Sequence, residues 1–519
     1  MEKKSILLIA FYNKKALGVR YLEKSLVRAG HKVFILFLKH FNSKRPDPVN
    51  SKELLLIKDL VKKLEPGLIG LSVMSSLYME SVITVNSFLR KHFDIPIVWG
   101  GVYASMFPEK SLTYADFVLR GECEEAVVEL ADAVSEHNSH QGIANLVYKD
   151  HSRGGKTVVN DLRPLCSDLD TLGYPLFNSN NKYYIDNGQI TYGDPMTGSI
   201  SYELSASRGC PYMCSYCSSI NLKRLYKGCG RYVRFRSVPN IISELEEALT
   251  YIRDLRVIHF WDEIFPDDST WTDDFSSIYK TRIGLPFEIW GHPLRCSDHT
   301  ISRLVEAGLY KVVMGIQSGS PRIRSDVFHR SESQTDILQA AKTLSRNRVP
   351  QVVYDFILRH PFENEEDIKQ TFELCTKLEK PFELQLHGLN FFPGTDIITI
   401  AESSGTDVKI SESGPGVPMR EAYKTYWGQK NSDMRINYWY SLIYLSQFRL
   451  GLPVAKFLSR ASGSWLYQNI AILLSRLFCP AAKLRYFYKK ALLLVRASFN
   501  RNRTLRESRH VVQYNETQR

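Results

Sequence analysis

Cys210, Cys214 and Cys217 stand in Ser207-Arg208-Gly209-Cys210-Pro211-Tyr212-Met213-Cys214-Ser215-Tyr216-Cys217, a C-x3-C-x2-C run. Three thiolates this close together can ligate three irons of a cubane 4Fe-4S cluster and leave the fourth iron open to an outside ligand, unlike a closed four-cysteine site. The other readings of the run are a structural zinc site short of its fourth ligand and a set of plain buried thiols. Zinc ribbons pair C-x2-C knuckles, and no second knuckle follows here.

A second set of polar residues closes successive apolar runs. Leu255–Trp261 ends on Asp262 and Glu263, and Arg295 follows Phe287–Trp290. Lys311–Ile316 ends on Gln317-Ser318-Gly319, and Val352–Leu358 on Arg359-His360. Any one of these reads equally as a cap or a solvated residue. Their recurrence at the same end of successive strands points to a site.

The elements that must position these groups are legible from period and punctuation. Ile200–Leu204 delivers the cysteine loop. Five further strand candidates follow, ending with the one that begins Phe382-Glu383-Leu384-Gln385-Leu386, and helical stretches such as Pro239–Arg253 and Asp336–Arg346 separate them. Repeated units of this length fit a barrel or partial barrel with its chemistry at the strand C-termini.

Upstream, Ser5–Ala10, Val33–Leu38, Leu68–Val73, Pro96–Gly101 and Asp116–Gly121 read as strands. The helices Leu17–Ala29, Lys52–Leu64 and Glu124–Val134 lie between or after them. This alternation predicts a parallel, doubly wound sheet, whose ligands sit beyond the strand C-termini, here at Tyr12, Ser72, Gly100-Gly101 and Gly121-Glu122. Glycines and a small hydroxyl there permit a close backbone approach. The pattern weakens over 141–198, which is read as a linker with at most a small hairpin.

The cysteine run, with Tyr216 just before its last cysteine, resembles the signature loop of the radical S-adenosylmethionine (SAM) enzymes. The resemblance covers about residues 199–400. It implies a partial (β/α)6 TIM-type barrel in which SAM chelates the open iron and is cleaved to a 5′-deoxyadenosyl radical. His259-Phe260-Trp261-Asp262-Glu263-Ile264-Phe265 is similar to the segment that turns a carboxylate toward the methionyl amine. Gly315-Ile316-Gln317-Ser318-Gly319-Ser320 resembles the family's G-I-E-S-G-S; Gln317 replaces the common glutamate, keeping a hydrogen-bonding site and losing the charge. Phe356 to Asp367 resembles F-I-x-G-x-P-x-E-T-x-E-D, with Arg359 where glycine is usual, so a different turn is expected there. Pro393-Gly394-Thr395 matches the family's P-G-T. The resemblance thus assigns the metal to Cys210, Cys214 and Cys217 and SAM contacts to Tyr216, Asp262, Glu263, Gln317 and Ser318. Cys229, Cys296 and Cys375 are read as structural thiols.

Residues 1–140 resemble the cobalamin-binding domain, of flavodoxin-like (Rossmann-type) fold, that precedes many radical SAM domains. The stretches that carry this are Ala16-Leu17-Gly18-Val19-Arg20-Tyr21-Leu22, Gly70-Leu71-Ser72-Val73-Met74, Trp99-Gly100-Gly101-Val102-Tyr103-Ala104 and Arg120-Gly121-Glu122-Cys123-Glu124-Glu125. Cobalamin contacts are assigned on it to Tyr12, Leu17, Gly18, Ser72, Gly100, Gly101, Gly121 and Glu122. The D-x-H-x-x-G motif is absent, since Tyr12-Asn13-Lys14-Lys15-Ala16-Leu17-Gly18 fills that place, so no histidine is expected beneath the cobalt.

Residues 401–519 read as a mainly helical C-terminal domain, opened by a polar, glycine-rich loop or lid over 402–418. From Lys483 to Arg509 there are nine lysines and arginines against one acid, Glu507, interleaved with leucines and Phe487. Such a basic amphipathic segment suits a membrane surface and could also grip the phosphates of nucleic acid; the remaining reading is a helical cap with a solvated basic tail. Ser464–Leu477 is shorter than the ~20 apolar residues of a transmembrane helix, and 500–519 is expected to be disordered.

Composition bounds these readings. A chain of 519 residues with 44% apolar and 24% charged residues suits about three globular domains. Met1-Glu2-Lys3-Lys4 runs straight into a strand, and nine cysteines are clustered only in the one loop, which favours a reducing cytoplasm. The net charge of +12 does not by itself choose between nucleic acid, phosphorylated substrate and membrane surface. A methylthiotransferase acting on RNA needs three cluster cysteines in its first domain, whereas residues 1–150 hold only Cys123, so nucleic acid is not the expected partner. The resemblance implies a cobalamin-dependent radical SAM enzyme that methylates an unactivated carbon of a small-molecule or lipid-like substrate. It would draw electrons from a partner such as flavodoxin or ferredoxin. The alternatives are a cyclase or oxidoreductase acting on a tetrapyrrole or lipid, and a cluster- and cobalamin-binding sensor.

Overall fold

The computed structural model describes residues 3–42, 47–406, 419, 433–461 and 463–516, without the side chains of 486 and 496–516. Two sheets organise it. The first has nine strands: β1 (Ile6–Phe11), β2 (Val33–Leu38), β3 (Leu68–Ser72), β4 (Ile97–Gly100), β5 (Phe117–Leu119), β6 (Leu146–Asp150), β7 (Lys156–Val159), β8 (Lys182–Asp186) and β9 (Gln189–Tyr192). Their order is β7-β6-β5-β4-β3-β1-β2-β8-β9. The inner run 2-1-3-4-5 is the flavodoxin order and is wholly parallel.

Alternation along each strand explains why both faces are covered. Leu7, Ile9, Leu36 and Leu38 pack with the helices Ser51–Leu64 and Met79–His92 through Ile57, Leu60, Val82 and Val85. Leu8, Ala10, Ile35 and Phe37 pack on the other side with Leu17–Arg28 and Ala126–Glu136 through Leu26, Val127 and Leu130. Each such fully buried Leu, Ile or Val contributes about 1.5–3 kcal/mol.

The stretch 141–198, read as a linker, instead supplies β6, β7, β8 and β9, which extend both edges of this sheet. These strands pair antiparallel, except for β8 on β2. They are short and, in β7 and β9, largely exposed, so they lack the continuous apolar run that marks a central parallel strand.

The second sheet holds β10 (Ser201–Leu204) and, beyond a two-residue antiparallel pair β11 (Ser207–Arg208) and β12 (Arg234–Phe235), β13 (Val257–Phe260), β14 (Phe287–Gly291), β15 (Leu309–Gln317), β16 (Gln351–Ile357) and β17 (Glu383–His387). The order β10-β13-β14-β15-β16-β17 is all parallel and open, a partial (β/α)6 barrel. Ile258, Phe260, Phe287, Ile289, Val312 and Met314 face the outer helices as one core.

Helices Met434–Ser446, Gly451–Leu458 and Trp465–Glu516 follow. The last holds Pro480 in its interior, and its backbone continues through 500–516, where disorder was expected. The part of the expected lid from 407 to 418 and the end 517–519 lie outside the described residues. Among the described residues no helix is long and apolar enough to cross a membrane.

Candidate active site

The cysteine loop leaves β10 and is fixed from four sides. Gly209 has φ +92°, and a Cβ there would lie 2.3 Å from the Tyr232 carbonyl oxygen, so only glycine fits. Ser215 donates its N–H to Phe328 O at 3.1 Å and its hydroxyl to Val327 O at 2.5 Å. Ile397 N donates to Ser215 O at 2.9 Å, which ties the loop to the turn Pro393-Gly394-Thr395. The Asp262 carboxylate accepts Ala206 N–H at 3.1 Å and the Ser207 hydroxyl. Burial lifts Asp262 to about 6, against those two hydrogen bonds.

The three thiols are free and partly buried, and burial pushes Cys210 up to about 12 and raises Cys214 and Cys217 as well. Among the described residues no three His, Cys, Asp or Glu side chains converge where a single metal ion would sit. A cubane takes each thiolate on a separate iron, and the three separate thiols of this loop can supply those ligands. Arg330 fits an anionic cluster: its Nη1 lies 4.0 Å from Cys214 Sγ and donates to Tyr216 Oη at 3.1 Å. Its Nη2 donates to Gly315 O at 2.8 Å and its Nε to Glu332 at 2.5 Å, so the cation is locked beside the loop.

A cavity of about 450 Å³ lies where the strand C-termini of the two sheets meet. Leu17, Gly18, Ser72, Gly100, Gly101, Gly121 and Glu122 line one wall, and Ser205, Ser207, Arg208, Gly209, Trp261 and Glu263 the other. Gly101 has φ +100°, and a Cβ there would meet Val73 O at 2.8 Å. The lining is mainly apolar, with glycines against which a flat macrocycle can lie, and no histidine faces it. These residues fit the face of a corrin.

Seven of the eight residues assigned to cobalamin thus converge, and Tyr12 does not. Its φ of +56° turns the ring into the core beneath the sheet, 5.3 Å from Tyr78, with its hydroxyl on Asp47 O and Ser81. Glu122 also ties the domains together: Arg234 pairs with it at 2.5 Å and Arg208 at 3.3 Å, and its N–H donates to the Tyr226 hydroxyl.

Of the residues assigned to SAM, Glu263 alone lines this cavity, accepting the Ser219 hydroxyl. Asp262 lies behind the cysteine loop as its holder, and Tyr216 packs edge-on against Phe328 at 4.9 Å. Ser318 serves its own turn, its Oγ accepting Ser320 N–H at 3.1 Å and its carbonyl Arg324 Nη1 at 2.8 Å. Gln317, buried at φ +69°, leaves its Oε1 without a hydrogen-bond partner among the described residues. A buried lone acceptor fits a donor such as a ligand amine. Arg359 adopts φ +60°, so the turn keeps the left-handed backbone that glycine would supply, contrary to the expected difference.

Sequence reasoning passed over Arg208, Arg234, Tyr226, Tyr232, Trp261 and Arg330 as site residues. Arg208 sits inside the signature run and was within reach; Arg330 follows no local pattern.

Residues 9–131 match the B12 binding domain and residues 204–375 the radical SAM superfamily. An uncharacterized methyltransferase of Pyrococcus horikoshii is 28% identical over 387 residues, 73% of this chain and 76% of that protein. An anaerobic magnesium-protoporphyrin IX monomethyl ester cyclase of Rubrivivax gelatinosus is 22% identical over 336 residues, 62% of this chain and 56% of that protein. Among solved structures, the cobalamin-dependent S-adenosylmethionine radical enzyme OxsB, with aqua-cobalamin and S-adenosylmethionine bound, superimposes with a TM-score of 0.62 at 13% identity, covering 99% of this chain and 81% of that one. The radical S-adenosylmethionine methyltransferase TsrM of Kitasatospora setae, with cobalamin and a 4Fe-4S cluster bound, gives 0.60 at 18%, covering 80% of each chain.

Proposed function

The chain is a radical SAM enzyme that carries a B12-binding domain, and from that premise we propose that it methylates an unactivated carbon of a small molecule. The observation that carries this reading is the single cavity onto which the C-terminal ends of both sheets open. When bound, the cluster with SAM supplies a carbon-centred radical and the cobalamin a transferable methyl group.

The chain's own part is placement. Cys210, Cys214 and Cys217 would hold the cluster, with Arg330 offsetting its charge. Gln317 Oε1 and the Glu263 carboxylate offer acceptors to a ligand amine. Leu17, Gly18, Ser72, Gly100, Gly101 and Gly121 would carry the corrin. Trp261 lies against Trp290 with ring centres 5.8 Å apart and would form part of the substrate's wall.

We infer a cytoplasmic enzyme reduced by a small electron carrier of flavodoxin or ferredoxin type. Contact with a membrane through the basic C-terminal helix belongs to a separate surface of the molecule. Ring closure or oxidation on a tetrapyrrole or lipid is the second reading, supported by the similarity to the cyclase. The unpartnered Gln317 acceptor supports retained SAM binding over a sensor without turnover.

Anaerobic reconstitution followed by iron, sulfide and cobalamin quantitation tests the cofactors. With SAM and dithionite, methylation should yield both 5′-deoxyadenosine and S-adenosylhomocysteine. Deoxyadenosine alone would favour the cyclase reading, and neither product would leave the sensor.

A further inference from the structure

Between Asp433 and Glu507 the chain holds no acidic residue and thirteen lysines and arginines. The structure shows how this stretch is presented. Helix Trp465–Glu516 buries Ala471 and packs Leu474 and Phe478 on the barrel core. On its far side Leu466, Ile470, Leu473, Leu477, Leu484 and Val495 are uncovered, Leu484 to 72%. At 100° per residue all six fall in a sector about 60° wide. Arg476 and Lys483 flank that ridge on one side, while Arg485 lies on the barrel-facing side. Phe457 and Leu450, 58% and 81% exposed, continue the apolar surface on the preceding helical segment.

We propose that this ridge is a docking surface for the anionic face of a lipid bilayer, on which the helix lies flat. An apolar stripe beside a row of cations matches the acyl boundary and headgroups of such a surface. Two copies of the face would bring like charges together, which disfavours a self-association seam. The helix is not apolar enough to cross the bilayer.

The structure also ties the helix to one end of the barrel. Arg485 Nη2 donates to Phe382 O at 2.5 Å and Lys489 pairs with Glu383 at 2.9 Å, at the start of β17. That is the strand end opposite the one that opens on the cavity. This part of the helix therefore lies toward the end of the barrel away from the cavity.

Flotation of the full chain tests this, with vesicles of phosphatidylcholine alone or with phosphatidylglycerol added. Flotation is expected with the anionic vesicles at low salt, falling on the order of tenfold with neutral vesicles or high salt. The combined variant Leu473→Ser, Leu477→Ser and Leu484→Ser, at exposed positions that leave the fold intact, should lose a similar factor. Equal flotation of that variant, or none with anionic vesicles at low salt, overturns the proposal. So does a concentration-dependent dimer in sedimentation that the variant abolishes while vesicles stay unbound, which would assign the ridge to a second copy.

Discussion

At the scale of residues, a few side chains carry the chemistry and their neighbours set their state. Replacing Cys210, Cys214 and Cys217 together with Ala should abolish the 4Fe-4S absorbance and leave the circular dichroism intact; iron retained at about four per chain, the content of one cubane, would sink the assignment. Glu363 gives a pH prediction. It accepts the Tyr440 hydroxyl and Arg359 N–H at 2.7 Å in a buried pocket, and burial lifts it from 4.5 to about 7. Because the folded pKa lies above the unfolded one, the native state binds the extra proton between them. Stability contributed at low pH is therefore lost as pH rises from about 4.5 to 7, by roughly 3 kcal/mol at 1.36 kcal/mol per unit. Glu363→Gln keeps a carbonyl acceptor and removes the titration. Melting temperatures of the two forms should diverge across that window in favour of the variant; parallel curves would show that Glu363 stays ionised. His360, buried and lowered to about 3, has the opposite slope and lies 3.6 Å from the Glu363 carboxylate, so Glu363→Gln combined with His360→Asn is the companion that removes its contribution.

At the scale of elements, the cysteine loop depends on a backbone that only glycine allows. Gly209→Ala places a methyl 2.3 Å from a carbonyl oxygen at φ +92° and must displace the loop or the Tyr232 strand entry. Gly228, at φ +87° with nothing within 4 Å, is the matched control, since it carries only the left-handed penalty of about 1–2 kcal/mol. Reconstituted iron should fall well below half for Gly209→Ala and stay near wild type for Gly228→Ala. Equal iron in both variants would mean that the close contact at Gly209 is not what shapes the loop. The same scale shows why 141–198 was misread: its strands are edge strands, short and polar on one side, and their pairing is set by neighbours distant in sequence.

At the scale of the whole molecule, an ion pair removed from water fixes the first helix to the segment that joins the two sheets. Arg20, on the first helix, meets Asp194, in the turn before β10, at 2.7 and 2.8 Å, with side chains 1% and 0% exposed. Asp194→Ala leaves a buried cation unpaired and should cost about 3–5 kcal/mol, read as a shift in urea midpoint, with Arg20→Met added to it restoring much of the loss. A shift below about 1 kcal/mol would show that water reaches the pair. The sequence by itself determined the cysteine loop and the parallel strand order, because spacing and period are local and survive in one dimension. Part of the cavity wall was legible for the same reason, since strand ends are marked by Ser72, Gly100-Gly101 and Gly121. Only the tertiary structure decided that Tyr12 turns inward, that Asp262 braces the loop, and that Glu122 pairs with Arg234 across 112 residues. It likewise brought Arg330 to Tyr216 across 114 residues. Partners so far apart leave no periodic trace along the chain; Arg330 reaches Tyr216 through the barrel's own closure, and Arg234 reaches Glu122 where the barrel packs against the first sheet.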